Sequence, residues 1–172
     1  MFSATTSGVD VLSVSGITTI GANISTTGTQ TYTGAVTLAA STTLIADTTN
    51  GGGGTAQLIT FGNTVGGAFN LSIADNAKFQ GVVTNVVNLG VTGTSEIGAN
   101  ITTAGTQTYT GDAILSANVS LATTNSNTLT LSKNFVFDDC LVDLLLKDQI
   151  ETFGAHRHAV LWPLDLCICN TA

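Results

Sequence analysis

The stretch IGANISTTGTQTYTGAVTL, residues 20–38, occurs a second time as IGANITTAGTQTYTGDAIL at residues 97–115. Fourteen of the nineteen positions are identical at an offset of 77 residues, and the match extends outward to Leu44 and Leu121. An internal repeat of this kind predicts equivalent structural units that stack along one axis.

Side chains alternate between two faces within each copy. In residues 29–33, Thr29, Thr31 and Thr33 point one way, whereas Gln30 and Tyr32 point the other way, which is the two-residue period of a β-strand. Other runs with strand character, such as 36–38 and 69–73, are separated by Gly and Asn, which tolerate tight turns. No window of residues 1–131 has a helical period, so the sequence predicts an all-β region of short strands.

Two architectures fit short strands with Gly-rich turns. A sandwich needs many hairpins, yet Asn50-Gly51 is the one hairpin-type dipeptide that stands between strands. A solenoid explains the long repeat and the scarcity of charge, so we predict a right-handed parallel β-helix (β-solenoid) with coils of roughly 20 to 22 residues, about six in all. Residues 29–33 and 106–110 should then occupy equivalent strands three or four coils apart. The side chains expected in the core are Leu38, Leu44, Phe61, Leu71, Ile73, Leu89, Leu115 and Leu121.

The composition changes near residue 132. Residues 1–131 hold 18 of the 19 Gly and six charged residues, whereas 132–172 hold nine charged residues, all Cys and both His. We therefore separate a solenoid region, 1–131, from a non-repeat tail, 132–172. Within the tail, DDCLVDLLLKDQIETF (138–153) could form a short helix with Asp138 or Asp139 as its N-cap. The tail would be an end cap of the solenoid or an accidental extension of the reading frame.

Charge and hydropathy exclude several partners. Eleven acidic and four basic residues give a net charge of −7, which disfavours nucleic acid and anionic lipid as partners. The longest apolar runs fall far short of the roughly 20 residues that span a bilayer, so we expect no membrane insertion by this segment. Met1–Thr5 lacks the basic start of a signal peptide, so the chain stays inside the cell or is a piece of a longer exported protein.

The residues that suggest chemistry form weak patterns. His156, His158, Cys167 and Cys169 invite a zinc site, but one residue between ligands is closer than the usual spacing. A nucleophile pair of Cys140 with either His has no evident scaffold.

Outside the tail, Glu96 and Asp112 are the nearest candidates for paired catalytic carboxylates. Gly51–Gly54 lacks the Gly-Lys-Ser/Thr of a phosphate loop. Glycosylation triplets begin at Asn23, Asn70, Asn100 and Asn118, as chance predicts in a Thr-rich chain. We therefore expect no enzymatic activity, no cofactor and no metal, catalytic or cofactor-binding residues.

Three quoted stretches carry a family resemblance: TTGTQTYTGAVTL (26–38), TTLIADT (42–48) and GGGGTAQLITFGNTVGGAFNLSI (51–73). They resemble the repeats of filamentous-haemagglutinin-like and autotransporter-like bacterial surface adhesins, over about residues 10–131. The resemblance implies a parallel β-helix and a location outside the bacterium or on its surface. It also implies a structural role as a spacer or contact surface, with host or cell-surface glycans or proteins as partners.

Other functions remain open from the sequence. Ice binding would need Thr-x-Thr rows on adjacent coils, whereas the two clear rows, 29–33 and 106–110, are expected three or four coils apart. β-Solenoids also occur in phage fibres, and some β-helices act on carbohydrates. The open ends of a solenoid further predict self-association, because they leave strand edges unpaired.

Overall fold

Twenty short strands and no helix make up the part of the chain that the computed structural model describes, residues 1–46, 57–124 and 127–137. The strands form three sheets, and every strand pair is parallel. Sheet 1 contains β1 (Thr6–Val9), β4 (Ile24–Thr26), β7 (Thr42–Ile45), β10 (Leu71–Ile73), β13 (Leu89–Val91), β16 (Gln107–Tyr109) and β19 (Leu129–Leu131). Sheet 2 contains β2 (Leu12–Val14), β5 (Gln30–Tyr32), β8 (Leu58–Phe61), β11 (Asn76–Phe79), β14 (Ser95–Ile97), β17 (Ala113–Leu115) and β20 (Phe135–Phe137). Sheet 3 contains β3 (Thr18–Ile20), β6 (Val36–Leu38), β9 (Val65–Gly66), β12 (Val83–Val86), β15 (Ile101–Thr103) and β18 (Leu121–Thr123).

The chain visits the three sheets in turn, so it forms a three-sided β-solenoid of about seven coils. Consecutive strands belong to different sheets, and each strand pairs with the strands three places before and after it. The predicted parallel β-solenoid is confirmed. The last two strands, β19 and β20, continue sheets 1 and 2 as far as residue 137.

The structural unit is six residues long. Strands β2 to β6 begin at residues 12, 18, 24, 30 and 36, and paired residues such as Leu12 and Gln30 lie 18 residues apart, so three units make one regular coil. In each unit we number the strand residues 1 to 3 and the corner residues 4 to 6. The expected coil of 20 to 22 residues is wrong for the regular coils, because longer separations of 20, 22 and 29 residues occur only where a corner carries extra residues.

The two sequence copies do not occupy equivalent strands. β5 lies in sheet 2, whereas its counterpart β16, eleven strands later, lies in sheet 1. The prediction that the two copies occupy equivalent strands was wrong. The repeating unit is one strand with its corner, three units make a coil, and a shift of eleven units is not a whole number of coils. The three faces are therefore interchangeable environments for the same sequence.

The core fills the interior of the solenoid. Strand positions 1 and 3 point inward, and the eight residues predicted to be buried are all at most 3% exposed. Phe69, which was expected to alternate with Leu71 and Ile73, lies instead on the corner before β10 and is 37% exposed. Inside sheet 2, the rings of Tyr32, Phe61 and Phe79 stack at centroid distances of 5.5 and 5.3 Å.

Corner position 5 brings the backbones of successive coils close together. A Cβ atom on Gly34 would lie 2.3 Å from the backbone of Gly16, and one on Gly111 would lie 2.3 Å from the carbonyl oxygen of Gly93. Glycine at these corners is therefore required by the stacking of one coil on the next.

Candidate functional site

A duplicated Gln–Tyr unit is the main polar feature of the interior. Gln30 and Tyr32 are fully buried, and the Tyr32 hydroxyl donates to Oε1 of Gln30 at 2.9 Å. Nε2 of Gln30 donates to the carbonyl oxygen of Ile45 on the next coil at 2.8 Å and to Thr26 Oγ1 at 3.3 Å. Every polar group of this unit thus has a partner inside the core, as buried polar groups require.

The second copy rebuilds the unit beneath a different face. Tyr109 donates to Oε1 of Gln107 at 3.0 Å, and Nε2 of Gln107 donates to the carbonyl oxygens of Ala122 at 2.6 Å and of Ile101 at 3.3 Å. Burial raises the pKa of both the Tyr32 and the Tyr109 phenols well above the usual value. The unit is therefore a neutral hydrogen-bonded group, which suits a structural role rather than proton transfer.

The location of each Gln–Tyr unit explains its role. The carbonyls of Ile45 and Ala122 both lie just before corners with extra residues, and both follow a 20-residue step in the stack. The glutamine amide donates to a backbone carbonyl where the regular spacing of the coils is interrupted. We interpret the unit as a hydrogen-bonded link between successive coils next to a long corner.

The charged side chains of the described residues lie on one side of the solenoid. Among the described residues, the outward position 2 of sheets 1 and 3 carries no charged side chain, and Thr19, Thr37 and Thr108 are typical occupants. Sheet 2 carries Lys78 and Glu96 on adjacent strands, and their Nζ and Oε1 atoms lie 2.8 Å apart. The faces of sheets 1 and 3 therefore offer neutral hydroxyl and backbone groups to a partner.

Sheet 1 also holds two Thr-rich rows on neighbouring coils. The register of β16 with β19 places residues 106, 108 and 110 beside residues 128, 130 and 132. Five of these six residues are Thr and the sixth is Ser. The other Thr-x-Thr row, residues 29–33, lies on sheet 2 and so is not part of this array.

Asparagine and aspartate side chains link the corners of successive coils. Oδ1 of Asn88 accepts the N–H of Thr106 at 2.7 Å, and Oδ1 of Asn100 accepts the N–H of Ser120 at 2.8 Å. Nδ2 of Asn88 also donates to Oδ1 of Asn70 at 2.9 Å. Oδ1 of Asn23 likewise accepts the N–H of Thr43 at 2.8 Å. Three of the glycosylation triplets, those at Asn23, Asn70 and Asn100, therefore begin with a corner residue whose side chain is hydrogen-bonded to the next coil.

The carboxylates singled out in the sequence are engaged separately. Glu96 pairs with Lys78, whereas Oδ1 of Asp112 accepts hydrogen bonds from the backbone and side-chain nitrogens of Asn134 at 3.2 and 3.0 Å. Asp75 is buried, and its Oδ2 accepts the N–H of Ala46 at 2.7 Å. Each of these carboxylates therefore has a partner on a neighbouring coil.

Several sequence candidates lie outside the described residues. They are the turn Gly51–Gly54, the helix expected over 138–153, and the zinc or nucleophile candidates Cys140, His156, His158, Cys167 and Cys169. Within the described ranges, no three His, Cys, Asp or Glu side chains are grouped to hold a metal ion. The same ranges contain no helix long and apolar enough to cross a bilayer.

The buried glutamines are the residues that sequence reasoning missed. Gln30 and Gln107 were placed on the side of the strand opposite the threonines, but they were not included in the core because glutamine is rarely buried. Their signal was present in the alternation itself, since each shares a face with a tyrosine two residues later in both copies.

Comparison of this chain with protein families, with curated proteins and with solved structures gives no match.

Proposed function

We propose that this chain is a non-enzymatic structural repeat segment of a bacterial secreted or cell-surface adhesin. In this role the stacked coils act as a rod-like spacer or as a contact surface. The observation that carries the proposal is the uninterrupted ladder of seven strands in sheets 1 and 2, which surrounds one continuous core. The resemblance of residues 10–131 to surface-adhesin repeats is the reason for proposing a location outside the cell.

The ladder sets the length of the spacer. Neighbouring strands lie about 4.8 Å apart, so seven strands extend over about 29 Å. Each further coil would add one strand spacing to the rod and three strands to its sheets. A solenoid therefore converts added sequence into length in direct proportion, whereas a flexible chain gains reach only as the square root of its length.

Surface display of tandem copies tests the spacer role. One, two and three copies would be placed between an exported cell-surface anchor and an epitope tag on encapsulated bacteria, with Gly/Ser linkers of equal residue number as controls. We expect antibody access to the tag to increase in proportion to copy number, and to increase less for the linkers. Equal access for all copy numbers would contradict a spacer role.

Adhesion is tested separately from reach. Beads coated with the folded chain should bind host cells or immobilised neutral glycans, whereas beads coated with the heat-unfolded chain should not. Equal binding by both preparations would contradict a contact surface that depends on the fold.

One observation favours a second function, the binding of ice. Thr106, Thr108 and Thr110 lie beside Thr128, Thr130 and Ser132 on sheet 1, with rows about 4.8 Å apart and alternate residues about 6.6 Å apart along a strand. Such an array would be detected as a thermal hysteresis that is lost in Thr108→Lys and kept in Thr37→Lys on sheet 3. A wild-type chain without thermal hysteresis would exclude this function.

A further inference from the structure

One face of the solenoid is regular over five coils. From β7 to β19 the strands of sheet 1 pair without a register shift. The residues at position 2 of these strands form one outward column, which consists of Thr43, Ser72, Gly90, Thr108 and Thr130. Because neighbouring strands lie about 4.8 Å apart, this column is about 19 Å long. Sheet 1 therefore presents an evenly spaced line of contacts.

The hydroxyl groups of this column are available to a ligand. Thr43, Ser72, Thr108 and Thr130 are all at least partly exposed. None of their hydroxyls is hydrogen-bonded to another residue in the part of the chain that the structure describes. A ligand can therefore bond to them without breaking a contact of the fold.

A hydrogen-bonded row of side chains borders the column. At the corner that precedes each strand, Nδ2 of Asn88 donates to Oδ1 of Asn70 at 2.9 Å. Oδ1 of Asn88 accepts the N–H and the hydroxyl of Thr106 at 2.7 and 3.1 Å. These bonds hold the side chains beside the column in place before any ligand arrives. Binding on this face therefore costs little ordering of side chains.

Gly90 leaves an opening in the middle of the column. A Cβ atom built on Gly90 would meet no atom within 4 Å, and Ser72 and Thr108 lie on the two flanking strands. These flanking strands are about 9.6 Å apart. A small substituent of a ligand, such as the hydroxymethyl group of a sugar, can therefore lie between the two hydroxyls and above the backbone of β13.

The other two faces lack this combination of regularity and neutrality. In sheet 3, β12 has one residue more than β15, so the register shifts between Val83 and Val86, and Asn85 has a φ of 56°. Sheet 2 has the ion pair of Lys78 with Glu96 at its centre. The net charge of −7 also disfavours an anionic polymer on any face. Sheet 1 therefore fits a straight and uncharged ligand.

We propose that sheet 1 binds an extended, neutral glycan of β-1,4-linked sugars, which lies along the column with one hydroxymethyl group in the opening at Gly90. Successive sugars of such a glycan advance by close to one strand spacing, so the same contact with a hydroxyl recurs from coil to coil. The inference rests on the contact-surface role proposed above and names the ligand of that surface. The spacer role does not depend on it.

Titration of the full-length chain with cellohexaose tests the ligand, and maltohexaose is the matched control. Both are neutral hexamers of glucose, but the α-1,4 linkages of maltohexaose make its chain curve. We expect saturable binding of cellohexaose in isothermal titration calorimetry, and at least tenfold weaker binding of maltohexaose. No binding of cellohexaose, or equal affinity for both hexamers, would overturn the proposal. Antibody access that rises with copy number would still support the spacer role in that case.

Two double variants test the face. Thr108→Val/Thr130→Val removes two adjacent hydroxyls of the column, so it should weaken cellohexaose binding about tenfold. Thr19→Val/Thr37→Val makes the same change on adjacent strands of sheet 3 and should bind like the wild type. Equal affinities of the two variants would mean that sheet 1 is not the binding face.

Gly90→Thr distinguishes a glycan from ice as the ligand. The new side chain has space on the face and should leave the urea midpoint equal or higher. It fills the opening, so we expect cellohexaose binding to weaken about tenfold. On an ice-binding face, the same variant would complete the row of hydroxyls and increase thermal hysteresis. Increased thermal hysteresis with unchanged cellohexaose binding would overturn the proposal.

Discussion

At the scale of single residues, the structure shows how a threonine-rich chain builds a buried core. Inward threonines hydrogen bond to a corner carbonyl two residues away, as Thr26 does to Gly28 at 2.6 Å and Thr103 to Gly105 at 2.8 Å. The hydroxyl is thereby satisfied locally, and the methyl group is left to pack. Buried polar side chains in this core are therefore tolerated where such a bond forms, and costly where it does not.

Ser95 is the exception that can be tested. Its hydroxyl is buried without a hydrogen-bond partner in the described structure, and its neighbours along the inward column are Ala77 and Ala113. Ser95→Ala should raise the free energy of unfolding by about 1 kcal/mol, because it removes an unsatisfied polar atom and leaves the packing unchanged. Urea denaturation measures the change. Ser72→Ala on the exposed face should have little effect, and a destabilised Ser95→Ala would contradict this account.

The two tyrosines predict how stability depends on pH. Both phenols are buried with a raised pKa, so they stay protonated in the folded protein while the unfolded chain ionises them at about pH 10. Their contribution to stability is complete below about pH 10, and above it stability should fall by up to about 1.4 kcal/mol per pH unit for each phenol. Denaturation midpoints at increasing alkaline pH, followed together with tyrosinate absorbance, measure this. Tyrosinate absorbance that rises near pH 10 while the protein remains folded would refute the burial.

At the scale of elements, the repeating strand and corner explains both the success and the failure of sequence reasoning. The two-residue alternation in residues 29–33 correctly predicts strands, and Leu71, Leu89 and Leu115 correctly predict the core. The six-residue period was hidden because Gln30, Thr42 and Ser95 occupy the same inward positions as leucine elsewhere.

The placement of the polar interior could not be predicted for a related reason. Gln30 can be buried because its amide donates to the carbonyl oxygen of Ile45. Ile45 belongs to the next coil, so this contact can be predicted only once the register of the stack is known. The repeat offset of 77 residues was similarly misleading, since it includes the extra corner residues between β7 and β8.

Corner glycines give an element-scale prediction with an internal control. A Cβ atom on Gly111 would collide with the backbone of Gly93 at 2.3 Å, whereas one on Gly90, in the middle of β13, would meet no atom within 4 Å. Gly111→Ala should therefore lower the free energy of unfolding by more than about 1 kcal/mol, and Gly90→Ala should leave it equal or higher. Thermal and urea unfolding of both variants measure the difference. Equal effects would mean that the corners are not in close contact.

At the scale of the whole molecule, the solenoid is a rod with few charged side chains, and those of the described residues lie on sheet 2 and the adjoining corners. The net charge of −7 should keep copies apart at low ionic strength, and salt at about 0.15 M shortens the screening length to about 8 Å. We therefore expect end-to-end association to increase from low to physiological salt. Light scattering at both salt concentrations measures it, and association that is strongest at low salt would contradict this balance of charges.

The central claim is that the parallel strands of six-residue units stack in register on three faces, with the two sequence copies on different faces. Disulfide formation in double-cysteine variants, with Cys140, Cys167 and Cys169 replaced by Ser, tests it most directly. Thr31→Cys with Thr60→Cys joins neighbouring strands of sheet 2, and Thr108→Cys with Thr130→Cys joins neighbouring strands of sheet 1.

Residues paired across adjacent strands lie about 4.8 Å apart, within the range that a disulfide spans. The account predicts that both in-register pairs oxidise within one chain, and that the control pair Thr60→Cys with Thr108→Cys, which lies on two different faces, stays reduced. Failure of the in-register pairs to oxidise, or equal oxidation of the control pair, would contradict the three-sided solenoid.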